Sequence, residues 1–486
     1  MSQESNEQAA VYDLVTLGAG STAFAAALRA AELGKRVLMT EERVTGGTCV
    51  NRGCLPSKHL IEAARILHEA RNPRYPGITA TSPDFSFEAL VQRKDTLVEG
   101  YRAAKYEDLV AASDNIELAH GHAEFVSSHE VRVGERIVRG ERFLLATGSR
   151  PVIPDIAGLE TVPYLTSDLL SASEVVELRD APASLIVLGG GYIALELGQM
   201  FARFGVNVTL IEPGPRPLWR EAEPEVGLAI REALRDEGLT ILTRAQAQRV
   251  HADGDEGVIV ELSVRGEARE ARAARLLVAT GRRPNTERLG LEVAGVRLTP
   301  TGAVEVDEYL RTSAPHIWAA GDVIGAEMGN QQATPVGARD GAIVAHNALA
   351  DEPPRRVDHR VIPRAIFTDP PIAMVGLTDA QARALGHTCW CNTVPLEYVP
   401  RAAATLDTRG IVKMVVDTET REVLGVSMVG ASASEIIHEA AMGLRFHATV
   451  DDFIDLLHVY PTMSEALKIA AISYYKDPAT LSCCAD

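Results

Sequence analysis

Short apolar runs alternate with glycine turns and alanine-rich stretches along much of the chain, and their order is strand, helix, strand. Tyr12 to Leu17 is one such run. Gly18-Ala19-Gly20 follows it, then an alanine-rich stretch, then a second run from Arg36 to Met39. Runs of this length ended by glycine predict buried strands, and with the helix between them they form a β-α-β unit. The same order returns at Leu185 to Leu188, followed by Gly189-Gly190-Gly191-Tyr192-Ile193-Ala194, a helix through Phe204 and a strand from Asn207 to Ile211. Two further runs are near copies of each other: Leu144-Leu145-Ala146-Thr147-Gly148-Ser149-Arg150-Pro151 and Leu276-Leu277-Val278-Ala279-Thr280-Gly281-Arg282-Arg283-Pro284. Each reads as a strand leaving through glycine and proline. Ile317-Trp318-Ala319-Ala320-Gly321-Asp322 is another strand end, where a carboxylate can meet a sugar-like chain.

Beyond about residue 350 the pattern changes. A proline-rich link, Glu352-Pro353-Pro354, leads to strand-like segments at Ile411 to Val416 and Val423 to Val429, then to helical patterns from Ser434 to Phe446 and from Ser464 to Ser473. No glycine fingerprint occurs there, which points to assembly. The first ten residues read as a frayed tail and Asp477 to Asp486 as an extended one.

The two glycine turns carry the first chemical signal. In Gly18-x-Gly20-x-x-Ala23 the glycines let backbone approach a pyrophosphate, and the helix that follows offers free N–H donors and the positive end of its dipole. Glu41 lies 41 minus 18, or 23, residues after the first glycine, and Glu212 lies 212 minus 189, again 23. A carboxylate at that distance can accept hydrogen bonds from a ribose. One such match is weak, but two in matching frames imply two dinucleotide sites.

Composition narrows the partners. Lys+Arg 48 against Asp+Glu 66 leaves a net charge of -18, poorly suited to coating phosphate backbones, so nucleic acid is not an expected partner. No apolar stretch reaches the roughly 20 residues that cross a bilayer, and the start lacks the plan of a secretory signal, so a soluble cytoplasmic protein away from membranes is expected. Six cysteines in 486 residues are too few for a disulfide scaffold, yet they fall in close pairs: Cys49 with Cys54, Cys389 with Cys391, Cys483 with Cys484. Such pairing suggests redox or metal chemistry.

The segment Gly46-Gly47-Thr48-Cys49-Val50-Asn51-Arg52-Gly53-Cys54-Leu55-Pro56-Ser57-Lys58 follows the first β-α-β unit directly. Five steps of regular helix turn the two thiols about 140° apart, so a bridge between them requires a distortion near Gly53. Beside a dinucleotide site this favours a redox disulfide over a metal pair or an incidental one.

Taken together, this cysteine segment, both glycine turns, both Ala-Thr-Gly phrases and the Ala320-Gly321-Asp322 strand end resemble the pyridine-nucleotide disulfide oxidoreductase family over nearly the whole chain. The resemblance implies an α/β fold with two Rossmann-like dinucleotide-binding domains plus a C-terminal α+β dimerisation domain. Its boundaries would be 1–155 for the first part of the FAD-binding domain, 156–281 for the NAD(P)H-binding domain, 282–349 for the second FAD part and 350–486 for dimerisation and the dithiol tail. By the same resemblance FAD is held by Gly18, Gly20, Ala23, Glu41, Gly47, Thr48, Lys58, Thr147, Gly148, Gly321 and Asp322, and the nicotinamide cofactor by Gly189, Gly191, Glu212 and Gly281. Cys49 and Cys54 then exchange electrons with the flavin, Lys58 and Glu196 pair near its ring, Tyr192 moves as a lid for nicotinamide, and the protein is a homodimer.

Which reaction follows depends on the C-terminus. Where disulfide-reducing members carry an acid/base histidine from the partner subunit, this chain reads His458-Val459-Tyr460-Pro461-Thr462, with tyrosine in that place. A tyrosine titrating near pH 10 is a poor proton shuttle at neutral pH, although His458 stands two residues away. The chain then ends Ser482-Cys483-Cys484-Ala485-Asp486. Adjacent α-carbons about 3.8 Å apart close a disulfide only with strain, so the pair favours the dithiol. Soft sulfurs suit a thiophilic ion, and ten extended residues span about 30 Å, enough to reach a neighbouring subunit.

Tyr460, the vicinal pair and the stretch Val399-Pro400-Arg401-Ala402 leading to Asp407-Thr408-Arg409-Gly410 resemble the mercury-reducing branch of the family. That resemblance implies a flavin-dependent reduction of Hg(II) to Hg(0), the ion arriving on small thiols, captured by Cys483 and Cys484 and passed to Cys49 and Cys54. The rivals are a disulfide reductase akin to dihydrolipoamide dehydrogenase or glutathione reductase, and a flavin-bearing metal buffer without turnover. The branch generally uses NADPH, but Glu212 favours the free ribose hydroxyl of NADH, with Arg216 and Arg220 close enough to offset it; NADH is slightly favoured. Cys389 and Cys391 have no counterpart and read as a surface or packing pair.

Overall fold

A computed structural model describes residues 11–171, 179–254, 257–326 and 331–482. The ten N-terminal residues and the vicinal pair Cys483 and Cys484 therefore lie outside the described residues.

Two parallel sheets form the frame, and they repeat one plan. In the first, the strands run Ile317–Ala319, Phe143–Leu145, Leu14–Leu17, Val37–Glu41, Ile116–His120. Leu14 pairs with Val37 and Val15 with Phe143, so the strand before the first glycine turn lies between its neighbours. In the second the order is Thr240–Thr243, Asn207–Glu212, Ser184–Leu188, Arg275–Val278. The duplicated phrases occupy equivalent strands. Leu144 and Leu145 sit beside the first glycine strand, and Leu276 and Leu277 beside the second. The central strands are largely apolar because both faces of each sheet are covered, one by helices and the other by antiparallel strands: Phe125, Val131 and Val138 pack on the first sheet, and Val250, Val258 and Val260 on the second.

Each strand-to-helix turn is shaped by one glycine. Gly18 has φ 111° and Gly189 φ 113°, backbone conformations that side chains rarely adopt. A Cβ on Gly18 would lie 2.4 Å from the Ala146 carbonyl oxygen, and one on Gly189 would lie 2.3 Å from that of Ala279. The turns thus press against the Ala-Thr-Gly phrases, which explains why turn and phrase recur together.

Seven helices position the site. α1 (Ser21–Glu32) and α4 (Tyr192–Arg203) leave the glycine turns; α2 (Gly47–Arg52) and α3 (Cys54–Arg71) carry the cysteine segment; α5 (Thr334–Leu349) packs on α1; α6 (Ala433–Arg445) and α7 (Glu465–Ile472) belong to the C-terminal unit. α1 and α5 meet backbone to backbone: a Cβ on Gly341 would lie 2.1 Å from the Thr22 carbonyl oxygen. That close approach fixes where α5 begins, beside the cysteines.

The C-terminal unit is a five-stranded antiparallel sheet, with strands ordered Arg364–Ile366, Ile372–Gly376, Val423–Val429, Ile411–Asp417, Cys389–Pro395. α6 and α7 pack on it through Ile436, Ile437, Ala466 and Leu467. The chain from Asp477 does not run straight out, as the absence of periodicity suggested. Pro478–Thr480 form a turn of 3-10 helix, and the Asp477 carboxylate accepts from Ala479 N–H at 3.0 Å. An aspartate ahead of proline caps such a turn, so the reach computed from Asp477 is too long and the free length starts after Thr480.

Candidate active site

A cavity of about 810 Å³ runs along the C-terminal edge of the first sheet. Gly18, Gly20, Glu41, Gly47, Thr48, Thr147, Gly148 and Asp322 line it, together with Cys49 and Thr334. α1 starts there with no side chain capping its first turn, leaving its N–H groups for an anion. Glu41 is held at the strand end by Ala19 N–H at 3.1 Å and Arg43 N–H at 2.8 Å. Asp322 accepts from Ser149 Oγ at 2.6 Å, and Arg282 Nε in turn donates to Ser149 Oγ at 2.8 Å. Close-pressed backbone, a free helix terminus and two carboxylates at opposite strand ends suit a long dinucleotide such as FAD.

Not every expected residue touches this cavity. Ala23 is fully buried in the core beneath α1. Its place in the fingerprint reflects close packing of α1 on the strands, through which it shapes the glycine turn. Gly321 does not line the cavity either; it turns the backbone at φ 78°, and a Cβ there would lie 2.5 Å from Thr22 Oγ1. Lys58 also lies outside the lining.

The two cysteines face each other across a broken helix. α2 ends at Arg52, Gly53 departs from helical geometry with φ -119° and ψ -110°, and α3 begins at Cys54. A continuous helix would hold the thiols apart; the break at Gly53 brings them into hydrogen-bond contact. Cys49 is half-buried and Cys54 exposed. The S–H of Cys49, foremost, with the charge of Lys58 and the hydroxyl of Thr334, holds the Cys54 thiol down to about 6. The same hydrogen bond and burial push the Cys49 thiol up. The pair shares protons unequally, and Cys54 is the more readily ionised of the two. Thr334 Oγ1 lies 4.0 Å from Cys54 Sγ, at the first residue of α5.

Lys58, one turn into α3, donates from Nζ to Glu196 Oε2 of α4 at 2.8 Å. Glu196 is buried, and its second oxygen accepts from Phe367 N–H at 2.9 Å. α3, which begins at Cys54, and α4, which leaves the second glycine turn, are joined by this pair. At that second turn, α4 opens at Tyr192 with no side-chain cap after Gly191, and Tyr192 is exposed. Glu212 turns inward: its carboxylate accepts from Gly214 N–H at 2.5 Å, and a Cβ on Gly190 would lie 2.5 Å from it. Burial raises its carboxyl above the usual range. Gly281 lies where the second Ala-Thr-Gly phrase leaves its strand, its carbonyl accepting from Val152 N–H at 2.9 Å.

Tyr460 lies on an exposed segment of the C-terminal unit and not in the cavity of its own chain. Its chain neighbours Leu457 and Val459 are exposed as well, as are Met442 on α6 and Phe446 just after it. His458 has both ring nitrogens engaged within the chain, Nε2 with Glu439 Oε1 at 2.9 Å and Nδ1 with the Leu456 carbonyl at 3.1 Å. Cys389 and Cys391 lie on one edge strand and pack on the same small cluster with Ala382 and Val415, and burial pushes both thiols up. They are remote from the cavity lining and read as packing. Thr334 and Phe367 were not foreseen from sequence, because no motif marks them. Among the described residues, no helix is long and apolar enough to cross a membrane.

Comparison with known proteins gives the same outline. The pyridine nucleotide-disulphide oxidoreductase family matches residues 12–349, and its dimerisation domain matches 362–471. A mercuric reductase of Streptomyces lividans is 44% identical over 480 residues, covering 98% of both chains. Another from Staphylococcus aureus is 40% identical, covering 98% of this chain and 84% of its own length. Among solved structures, the HOCl-induced flavoprotein disulfide reductase RclA of Escherichia coli superposes with a TM-score of 0.82 at 32% identity, covering 96% of this chain and 100% of that one.

Proposed function

The chain belongs to the pyridine nucleotide-disulphide oxidoreductases, and from that membership we propose that it is a flavin-dependent mercuric reductase, turning Hg(II) into Hg(0) at the expense of NADH or NADPH. The observation that supports this most is the Cys49–Cys54 pair, brought together by the break at Gly53, with Cys49 lining the cavity and Lys58 beside Cys54. Near full-length similarity to enzymes named for that reaction supports the choice of substrate. Gly18, Gly20, Glu41 and Asp322 would hold FAD in the cavity, where it would supply two-electron transfer between the nicotinamide and the sulfur pair.

Every other step belongs to side chains. Mercuric ion arriving on two small thiols exchanges those ligands one at a time for cysteine sulfur. Two metal–sulfur bonds break and two form; one small thiol departs as thiolate and the other departs with the single proton that Cys49 gives up. Cys54 attacks readily because it is already a thiolate, and Cys49 gives up its proton in the second exchange. Two electrons from NAD(P)H then leave the ion as a neutral atom with little affinity for thiolate, and the pair is free again. Lys58, held by Glu196, keeps a positive charge beside this exchange. Capture by Cys483 and Cys484 of the partner chain, with Tyr192 and Tyr460 flanking the path, belongs to the same reading.

The protein is a homodimer through its dimerisation domain, and Leu457, Val459 and Phe446, all strongly exposed in that unit, are side chains of the kind a partner covers. In the reading offered here residues 1–155 and 282–349 serve FAD, 156–281 serves the nicotinamide cofactor, 350–486 serves assembly, and the enzyme works in the cytoplasm, where small thiols carry the ion. Purified protein given NADPH or NADH should consume it only when mercuric ion is present and release volatile mercury. Turnover of lipoamide or glutathione disulfide with no mercury reduced would replace this reading with disulfide reduction, and stoichiometric metal uptake with no cofactor consumed would replace it with metal buffering.

A further inference from the structure

The loop that closes on the redox site comes from the C-terminal unit. Residues Phe367 to Asp369 follow the strand Arg364–Ile366 and run along α4, bonded to it at three successive places. Phe367 N–H donates to Glu196 Oε1 at 2.9 Å; Asp369 N–H donates to Gln199 Oε1 at 2.8 Å while Gln199 Nε2 donates to the Asp369 carbonyl at 2.7 Å; Arg203 Nη2 reaches Asp369 Oδ2 at 2.9 Å. Glu196, Gln199 and Arg203 stand three and four residues apart, on one face of the helix. The loop therefore has a single register on α4.

That register places the Phe367 ring with its centroid 4.7 Å from Lys58 Nζ. Glu196 Oε2 holds the same ammonium at 2.8 Å. A lysine on a flexible four-carbon stem with one partner can swing about it, whereas one between a carboxylate and an aromatic face is confined. Phe367 is 38% exposed, so core packing does not demand an aromatic ring at this position.

We propose that Phe367 is a positioning residue of the redox centre: its ring confines the Lys58 ammonium beside the Cys49–Cys54 pair, and the C-terminal unit thereby fixes the place of a charge carried on α3. The proposal rests on reading Cys49 and Cys54 as the redox pair, and it holds whichever metal or disulfide that pair serves.

The test uses the holoenzyme and its Phe367→Leu and Phe367→Tyr variants. Brief acetylation followed by peptide mass spectrometry gives the reactivity of Lys58, and the visible spectrum of bound FAD reports the charge near the ring. Phe367→Leu should raise Lys58 acetylation roughly three- to ten-fold and shift the flavin band, and Phe367→Tyr should restore both. Lys58 reactivity in Phe367→Leu equal to that of the parent would overturn the proposal. Should the leucine variant fail to fold, Gln199→Ala, which loosens the loop without touching Lys58 or its partners, decides the matter: faster acetylation of Lys58 supports the proposal and unchanged acetylation defeats it. Neither readout involves mercury, so this result and the choice of substrate stand or fall separately.

Discussion

Replacing Cys49 by alanine should move the ionisation of Cys54 back toward that of an ordinary thiol. In the structure Cys54 is held down to about 6 from an ordinary value of 9.0, and the S–H of Cys49 is the first cause. A hydrogen bond to an ionised acceptor contributes about 1.5–3 kcal/mol, and for an exposed sulfur the lower end applies, which is about one pH unit. The midpoint of Cys54 should then rise to roughly 7, with Lys58 and Thr334 accounting for what remains of the depression. The direction follows from the charge. A depressed thiol is anionic above its midpoint, so the parent site keeps its thiolate at pH 7, whereas the alanine variant holds only about half of it there. Cys49→Ser retains an O–H donor and should stay near the parent value. Both variants lack a disulfide partner, so the reduced holoenzymes can be compared directly by the rate of Cys54 alkylation against pH, read by mass spectrometry. Alanine and serine variants titrating together would refute the assignment of Cys49 as donor, and a midpoint near that of a free thiol in the serine variant would refute the depression itself.

Other predictions follow from the same geometry. Ending the chain after Leu481 should slow turnover of thiol-bound mercury roughly ten-fold or more, because the first capture loses its local concentration, while flavin reduction by NAD(P)H is unchanged; stopped-flow and steady-state rates on one preparation separate the two. Arg203 is buried between Glu237 and Asp369, at 2.6 and 2.9 Å, so Arg203→Met should cost about 3 kcal/mol by leaving the two carboxylates with Arg409 and, for Glu237, the Gln199 amide, seen as a lower melting temperature. Glu212→Gln keeps the shape of the loop capped at Gly214 and removes the negative charge, and the ratio of kcat/KM for NADPH over NADH should rise roughly ten-fold; an unchanged ratio would place cofactor choice elsewhere.

Much of this site is legible in the sequence, for reasons particular to each residue. Gly18 and Gly189 announce themselves because their backbone presses on a carbonyl in a conformation few residues tolerate. The break at Gly53 follows from helix geometry applied to two cysteines five positions apart. Thr334 is a different case: it stands 280 residues from Cys54, and only the contact of α1 with α5 brings it there. Phe367, 171 residues from Glu196, is placed by a loop register that no local pattern encodes. The start of the C-terminal tail was misread because one side-chain cap, Asp477, makes a turn out of residues whose apolar pattern has no period.

The first sheet is assembled from distant parts of the polypeptide, since Ile317–Ala319 pairs with Phe143–Leu145 and delivers Asp322. During synthesis the second glycine unit, whose strands all lie between Ser184 and Val278, leaves the ribosome complete while the first still lacks an outer strand. Ordering of the cavity must therefore wait for translation to pass Asp322, and nascent chains released earlier would carry a finished second glycine unit attached to an unfinished first one.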